Sequence, residues 1–282
     1  MIAYIIGVGL IGGSFALSLK ETGICERVLG SDSSADNITK AFELGLIDEA
    51  VSIEQGVERA DLIVLAIPVD ALPTVAIKVL NRVKSHQTVI DMGSIKEDLC
   101  EIISMHVNRS RFVATHPMWG TEHSGPTAAQ HNAFKGRNVV ICEKGKSAVD
   151  AVAMVEDIYT KIGMPISYME AEEHDLHVAY ISHISHITSF ALALTVLEKE
   201  REEQRIFELA GGGFESTVRL AKSASATWVP ILLHNKFNVL DVLREHIHQL
   251  QIMRKALESD DAEQLTQMMA KANSIQKILN KL

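Results

Sequence analysis

Cysteine is scarce in this sequence of 282 residues, which argues against a disulfide framework. The three cysteines, Cys25, Cys100 and Cys142, are far apart, odd in number and without the spacing of metal ligands. We therefore expect reduced thiols, as in a cytoplasmic protein. Positive charge is scarce too, since 27 basic residues stand against 36 acidic ones and the formal net charge is −9. Without any run rich in lysine or arginine, this balance argues against nucleic acid or an anionic membrane as a partner.

Long apolar runs are also missing. We find no segment with the ~20 apolar residues that are needed to span a bilayer. The apolar start lacks the basic region and small-residue cleavage site of a secretory signal, so we interpret it as a β-strand. The length of the chain and its hydrophobic content of 47% suffice for two domains with a large core.

The first twenty residues carry the strongest local motif, with the sequence MIAYIIGVGLIGGSFALSLK. Gly7, Gly9 and Gly12 form a GxGxxG pattern between a predicted strand and a predicted helix, which is typical of dinucleotide binding. Gly7 permits the tight turn, Gly9 lets the backbone approach a pyrophosphate, and Gly12 lets the helix pack close to the strand. The first helical residues, Leu10 and Ile11, would point free N–H groups at the anion.

Asp32 follows a second apolar stretch, Arg27 to Ser31, and lies twenty residues beyond Gly12. A carboxylate at about this ~20-residue spacing hydrogen-bonds the ribose 2′-hydroxyl, and its charge would repel a 2′-phosphate. The alternative is an aspartate that only caps the next helix. We expect NAD rather than NADP as the cofactor. The candidate cofactor-binding residues are Gly7, Gly9, Leu10, Ile11, Gly12, Asp32 and Pro68.

The pattern of elements changes near residue 170. Up to Met169, short β-rich runs alternate with helical segments, which predicts a Rossmann-type parallel sheet of class α/β. From Glu170 onward long helical patterns take over, and the last of them is a helix predicted over 261–282. The first of them, 170–199, has few polar positions on any face. Such a helix is buried, and we expect it to pack against another chain. The sequence therefore predicts a dinucleotide-binding domain over 1–169 and an all-helical substrate and dimerisation domain over 170–282, in a homodimer.

Two polar residues follow predicted strands, where ligands bind in an open α/β sheet. Ser94 comes after TVIDMG and His116 after RFVAT. A histidine in that position can accept a proton near neutral pH, although it could instead hold the turn before Pro117. Ser94 and Glu97 could form a capping box, which would stabilise a helix without contributing to chemistry.

The second half contains four histidines close together: His174, His177, His183 and His186. A zinc site would need further ligands, but no cysteine lies nearby and no HExxH pattern occurs, so we expect no metal. Ser182 and His186 share a helical face and favour the wall of a polar pocket. Gly211, Gly212 and Gly213 could approach a ligand or form a hinge. Charge alone does not distinguish Arg219 from other arginines.

Together, five stretches resemble the prephenate/arogenate (cyclohexadienyl) dehydrogenase family of tyrosine biosynthesis. They are GVGLIGGS at Gly7, DMGSIK at Asp91, THPMWGTEHSG at Thr115, HDLHVAYISHISH at His174 and GGGFESTVRLAKSASATW at Gly211. The resemblance implies oxidative decarboxylation of prephenate to 4-hydroxyphenylpyruvate, or of arogenate to tyrosine, with NAD as hydride acceptor. It implies that His116 accepts a hydrogen bond from the substrate hydroxyl, that Ser94 orients both groups, and that Arg219 pairs with a substrate carboxylate. The other implied substrate-binding residues are Ser182, His186, Glu122, Gly212 and Trp228.

Some positions depart from the family pattern and affect the expected shape of the pocket. They are Trp119, Ser185, Glu215, Ser216 and Pro230. Because the sequence ends at Leu282, we also expect it to lack the regulatory tail of many relatives. Two other interpretations remain: a β-hydroxyacid dehydrogenase, for which Lys222 or Lys236 would be required, and an NAD-binding sensor without activity.

Overall fold

The computed structural model describes residues 1–279, and the last three residues of the predicted C-terminal helix lie outside them. The chain divides into two compact units, Met1–Lys236 and Phe237–Leu282. The contact division therefore falls at Lys236, because the helices that follow the sheet pack into the first unit. The predicted boundary between 169 and 170 stays a prediction.

In the described residues the first unit is built on an eight-stranded sheet of order β3-β2-β1-β4-β5-β6-β7-β8. The strands are β1 (Ile2–Ile6), β2 (Arg27–Ser31), β3 (Glu49–Ala50), β4 (Leu62–Leu65), β5 (Thr88–Asp91), β6 (Phe112–Pro117), β7 (Val139–Cys142) and β8 (Ile166–Met169). Strand β4 is buried along its whole length, as expected for a strand covered on both faces. The Rossmann-type sheet is confirmed in this part of the chain.

The sheet departs from a fully parallel one after β6. Strand β7 pairs with β6 in the antiparallel sense, with Thr115 opposite Ile141 and His116 opposite Val140. Strands β7 and β8 are parallel to each other. The reversal was not predicted, since apolar composition identifies a buried strand but does not give its direction.

Helices connect the strands of the sheet. They are α1 (Leu10–Glu21), α2 (Ala35–Glu43), α3 (Ile53–Arg59), α4 (Leu72–Leu80), α5 (Glu97–Ile103) and α6 (Val149–Ile162). Helix α1 follows β1 directly, so that the glycine turn lies at the carboxyl end of the central strands. Two apolar clusters, one on each face, bury the sheet between these helices.

After the sheet the first unit continues with α7 (Ala171–Val178), a π-helical turn (Ala179–His183) and α8 (Ile184–Glu203). Shorter helices follow: α9 (Gly212–Val218), a 3₁₀ turn (Arg219–Lys222) and α10 (Ser225–His234). The long helix predicted for 170–199 is thus present but interrupted by a π turn. Such turns occur frequently at functional sites.

Helix Ala171–Glu203, of 33 residues, is the one helix in the described chain that is long and apolar enough to cross a membrane. The prediction that no segment is long enough was wrong, because it considered uninterrupted apolar runs and not the mean over a helix. A single helix of this kind does not establish a membrane protein. Only 17% of its most apolar window is buried, and Leu194 and Leu197 are among its exposed side chains.

The second unit is helical. Its elements are α11 (Lys236–Glu258), α12 (Ala262–Asn273) and α13 (Ile275–Leu279). Asp261 caps α12 by accepting a hydrogen bond from the N–H of Gln264 at 2.9 Å. The predicted continuous helix over 261–282 is therefore divided after Asn273.

Candidate active site

The glycine turn has the geometry that the fingerprint predicts. Gly7 has φ +92°, and a Cβ there would lie 2.3 Å from the Ala66 carbonyl oxygen. A Cβ on Gly12 would lie 1.9 Å from the Gly7 carbonyl oxygen, so only glycine permits this packing of helix against turn. By contrast, a Cβ on Gly9 would have no neighbour closer than 4.0 Å. The space beside Gly9 is therefore open to a ligand.

Helix α1 begins with unsatisfied backbone donors at this open space. Its N-cap is Gly9, which has no side chain, and Leu10 and Ile11 are its first two residues. The first N–H groups of a helix have no partner within the helix and form a site for an anion. The residues present therefore fit a pyrophosphate. Pro68 is exposed in the turn after β4.

Asp32 lies at the end of β2 with its carboxylate directed to the glycine turn. Its Oδ2 accepts a hydrogen bond from the N–H of Val8 at 3.0 Å, and its Oδ1 accepts one from the N–H of Ser34 at 2.9 Å. The cap of α2 is instead Ser34, which accepts from the N–H of Asn37. The alternative of Asp32 as the helix cap is therefore not what the structure has.

The loop after β6 runs alongside the glycine turn. The Cα of Gly125 is the atom nearest to a Cβ placed on Gly9, at 4.0 Å. Further along, the N–H of Gln130 donates to Ser14 Oγ in α1 at 2.9 Å. The loop after β6 is thus held against the turn in which the pyrophosphate is predicted to bind.

His116 lies near the end of β6, partly exposed, and its ring contacts a second histidine. Its Nδ1 is 2.8 Å from Nε2 of His174 in α7, and the two rings meet edge to face. Burial lowers the pKa of His116 well below 6.5, and the electrostatic interactions with His174 and with Lys96 act in the same direction. His116 is therefore neutral at physiological pH and able to accept a proton.

His174 is held in turn by its neighbour in the chain. Its Nδ1 lies 2.7 Å from Oδ1 of Asp175, which also accepts a hydrogen bond from the N–H of Lys96 at 2.8 Å. Asp175 Oδ2 accepts from the N–H of Glu97 at 2.9 Å. The carboxylate of α7 thus caps the start of α5 and connects two elements that are 79 residues apart in sequence.

A buried ion pair lies beneath this cluster. The Lys96 ammonium and the Asp91 carboxylate are both fully buried and in direct contact. Lys96 Nζ also donates to the Thr115 carbonyl at 2.9 Å, and Asp91 Oδ1 accepts from the N–H of Thr115 at 3.1 Å. Because Thr115 precedes His116, these contacts fix the backbone on which His116 stands.

Ser94 lies between Asp91 and α5, partly buried. The helix begins at Glu97 with Lys96 as its N-cap and no side-chain cap of its own. The capping box of Ser94 with Glu97 is therefore wrong, because the carboxylate of Asp175 occupies the place of the cap. No hydrogen bond of the Ser94 hydroxyl occurs within residues 1–279.

Arg219 faces the loop that follows His116. Its Nη1 donates to Oε2 of Glu122 at 3.1 Å, and 52% of the Arg219 side chain is exposed. A hydrogen bond from its own backbone N–H lowers the pKa of Glu122, and the charge of Arg219 adds to this against the effect of desolvation. Glu122 and Arg219, which are 97 residues apart in sequence, are therefore brought together.

His186 stacks on Trp228 with ring centroids 3.3 Å apart. Its Nδ1 lies 3.0 Å from the carbonyl oxygen of Ser182, one helical turn earlier. Burial lowers the pKa of His186, and burial lowers the pKa of His183 to about 4. Three predicted pocket residues, Ser182, His186 and Trp228, therefore form one group of contacts.

The remaining candidates are less tightly placed. Gly212 is the exposed first residue of α9, and a Cβ there would meet no atom within 4 Å, so the fold itself does not require glycine. Trp119 turns inward and packs edge to face on Phe134 with centroids 5.3 Å apart. Pro230 lies inside α10. Within the described residues no group of three His, Cys, Asp or Glu side chains could hold a metal ion.

Sequence reasoning missed two members of this cluster. Asp175 was part of the stretch HDLH but received no role, and Lys96 was part of DMGSIK without one. The adjacent histidine and aspartate at the start of a helix were a usable signal. For Lys96 the signal was a lysine between the apolar residues Ile95 and Leu99.

Comparisons with known proteins agree over both halves of the chain. The nucleotide-binding domain of prephenate dehydrogenase matches residues 15–168, and the prephenate dehydrogenase dimerization domain matches residues 170–271. Prephenate dehydrogenase of Bacillus subtilis (strain 168) is 32% identical over 262 residues, covering 92% of this chain and 71% of that protein. Cyclohexadienyl dehydrogenase of Zymomonas mobilis is 32% identical over 265 residues, covering 93% and 90%.

A solved structure agrees as closely. Prephenate dehydrogenase from Aquifex aeolicus, in complex with hydroxyphenyl propionate and NAD+, has a TM-score of 0.90 at 30% identity and covers 99% of this chain and 98% of that one. The predicted family, fold class and cofactor are confirmed by these matches. The chain belongs to the prephenate dehydrogenase family and is an NAD-dependent oxidoreductase.

Proposed function

We propose that this chain oxidises and decarboxylates prephenate to 4-hydroxyphenylpyruvate in tyrosine biosynthesis, with His116 as the proton acceptor. The observation that carries the proposal is the position of His116 near the end of β6, just before a loop that borders the glycine turn. Within the described chain the hydrogen bond of its ring involves Nδ1 alone. Nε2 is thus available to a substrate hydroxyl.

Bound NAD supplies the acceptor for the hydride that leaves the ring carbon bearing the hydroxyl. The N–H groups at the start of α1, beside Gly9, would hold the pyrophosphate of NAD, and the Asp32 carboxylate would accept a hydrogen bond from the ribose 2′-hydroxyl. Loss of the hydride makes the hydroxyl more acidic, and a neutral imidazole is well suited to take its proton. Departure of carbon dioxide then leaves its bonding electron pair in the ring, and the resulting phenolate takes the proton back from His116. The product is an aromatic phenol, which makes the reaction favourable.

Arg219 binds a substrate carboxylate in this proposal. One of its N–H groups already donates to Glu122, and a guanidinium has five N–H donors, so others remain for a second carboxylate. A planar guanidinium can hold a carboxylate through two parallel hydrogen bonds, which a lysine cannot. Ser94 orients the hydroxyl toward His116. The other residues that line the substrate site are Ser182, His186, Glu122, Gly212 and Trp228.

We also propose that the chain acts in the cytoplasm as a homodimer, without nucleic acid or membrane partners. The long helix leaves apolar side chains exposed, among them Leu194 at 65% and Leu197 at 51%. The half of the chain that contains this helix matches a domain described as a dimerization domain. A second copy would cover these exposed apolar side chains.

The test is a steady-state assay of NADH absorbance with prephenate and with arogenate, each with NAD and with NADP. We expect turnover with prephenate and NAD. Replacing His116 by asparagine should lower kcat roughly 10²–10⁴-fold, with the affinity for NAD retained. His86→Asn, at an exposed position before β5, is the matched control and should leave kcat unchanged.

The same assay has a pH dependence that follows from burial. Because burial holds the pKa of His116 well below 6.5, its accepting form persists as the pH falls to that value, and kcat should stay constant between pH 8 and 6.5. Faster turnover of arogenate than of prephenate would show that the substrate is arogenate, the amino acid of the pair. The absence of NADH formation with both substrates, or unchanged turnover in His116→Asn, would overturn the proposal.

A further inference from the structure

We propose that His174 and Asp175 are positioning residues that fix the tautomer of His116, with the proton on Nδ1 and with Nε2 free to accept. This inference rests on the role of His116 proposed above and assigns the group that prepares it. Three links carry it: the hydrogen bonds of Asp175, the single proton of His174, and the contact between the two rings. All three lie within the first compact unit.

The first link is the charge state of Asp175. Both oxygens accept backbone hydrogen bonds at the start of α5, from Lys96 at 2.8 Å and from Glu97 at 2.9 Å. An ionised carboxylate has no proton to donate and can only accept hydrogen bonds. The proton in the contact between Asp175 Oδ1 and His174 Nδ1, at 2.7 Å, must therefore reside on the nitrogen.

The second link is the state of His174. Its side chain is only 1% exposed, and a neutral imidazole carries one N–H donor and one acceptor. Since Nδ1 is the donor to Asp175, Nε2 of His174 is the acceptor.

The third link follows from the ring contact. Nδ1 of His116 lies 2.8 Å from the acceptor nitrogen of His174, so His116 Nδ1 carries the proton and donates it. The rings stand at 71° with centroids 5.1 Å apart, which suits an in-plane N–H bond from one ring to the other. Nε2 of His116 is then unprotonated in the resting protein. It is the form required to take the proton of the substrate hydroxyl.

The arrangement also retains the orientation of the ring after proton transfer. When His116 becomes an imidazolium, its Nδ1–H remains bonded to His174, and Asp175 faces the new charge through that neutral ring. A carboxylate that holds a catalytic imidazole in one tautomer accounts for a large part of catalysis in serine proteases, where its loss lowers kcat by about 10⁴-fold. Here the carboxylate acts through a second histidine, so we expect a smaller effect, about 10²-fold.

The experiment records the tautomer directly. The full chain is labelled with 15N in its histidine rings, and long-range proton–nitrogen spectra are assigned to His116 by the signals that disappear in His116→Asn. In the unmodified protein we expect a protonated Nδ1 and an unprotonated Nε2 for His116. In His174→Leu that preference should be lost, and kcat should fall about 10²-fold while KM and the dissociation constant of NAD change less than twofold.

Two further variants distinguish positioning from folding. The side-chain oxygen of His174→Gln can accept from His116, so it should retain the tautomer and most of kcat. His177→Leu, exposed on the same helix, should change neither. A protonated Nε2 on His116 in the unmodified protein, or an unchanged kcat in His174→Leu, would overturn the inference. If His116→Asn keeps its turnover while the spectra show the expected tautomer, the proposed function fails and the assignment of the proton stands.

Discussion

Lys96 carries a positive charge into the interior of the sheet, and its removal should destabilise the protein strongly. The side chain is fully buried and contacts an equally buried carboxylate, that of Asp91. Replacing Lys96 by methionine keeps most of the volume and the helix propensity of the side chain. It leaves Asp91 with a buried negative charge that has lost its counter-ion.

The size of the effect follows from the groups that remain around Asp91. Breaking a buried ion pair on one side costs about 3–5 kcal/mol in free energy of unfolding. Asp91 keeps two backbone donors, the N–H of Gly93 at 2.9 Å and the N–H of Thr115 at 3.1 Å. We therefore expect the lower end, about 3 kcal/mol. With a urea m-value near 3 kcal/mol/M, the midpoint should fall by about 1 M.

The measurement is urea unfolding followed by circular dichroism, with variant and unmodified protein at equal concentration. Lys40→Met is the matched control, because Lys40 pairs with Glu43 at the surface with side chains 44% and 57% exposed. That variant should change the free energy of unfolding by less than about 0.5 kcal/mol. The double variant Asp91→Asn/Lys96→Met removes both charges and should recover at least half of the loss.

A decrease below about 1 kcal/mol for Lys96→Met would refute this reasoning, since it is smaller than any desolvated charge should produce. An equal loss of free energy of unfolding in Lys96→Met and in the double variant Asp91→Asn/Lys96→Met would also refute it. In that case the packing of the side chain, and not its charge, would set the stability.

Two predictions concern ligand binding. Arg219→Gln should raise KM for prephenate roughly 30-fold, the equivalent of about 2 kcal/mol. We use the lower end of the range for charged pairs because the Arg219 side chain is half exposed. The control is Arg205→Gln, at a side chain that is 79% exposed, and an unaltered KM in Arg219→Gln would show that the substrate carboxylate binds elsewhere. Asp32→Ala should narrow the preference for NAD over NADP by about 10-fold or more, as one hydrogen bond to a charged group is worth 1.5–3 kcal/mol. An unaltered ratio of kcat/KM for the two cofactors would contradict the contact of Asp32 with the ribose.

Where a residue's place depends on local chemistry, the sequence was sufficient. The glycine turn, the end of β2 at Ser31 and the position of His116 near the end of β6 all follow from spacing and composition. The same is true of the stop after α2, where Gly45 has φ +68°. The prediction missed two short elements, β3 and α3. A strand of two residues and a helix of seven residues carry too little periodicity to be recognised.

Contacts between distant segments could not be predicted. The capping box at Ser94 was a valid local pattern, yet the cap is supplied by Asp175 from another helix. Likewise Arg219 could not be distinguished from Arg205 until the fold placed it against Glu122. In both cases the side chain's partner lies about 80 to 100 residues away in sequence, so that only the three-dimensional arrangement identifies it.

The long helix over 171–203 connects both parts of the candidate site. Its first turns hold Asp175 against the start of α5, so that His174 reaches His116. A π turn over Ala179–His183, which includes Ser182, then changes the rotation of the helix before His186 stacks on Trp228. A regular α-helix advances 100° per residue, and a π turn inserts an extra residue without an extra turn. In a regular helix His174 and His186, twelve residues apart, would lie about 120° apart around the axis. The extra residue of the π turn reduces this to about 20°, so that the proton-positioning histidine and the substrate-facing histidine lie on nearly the same side of the helix.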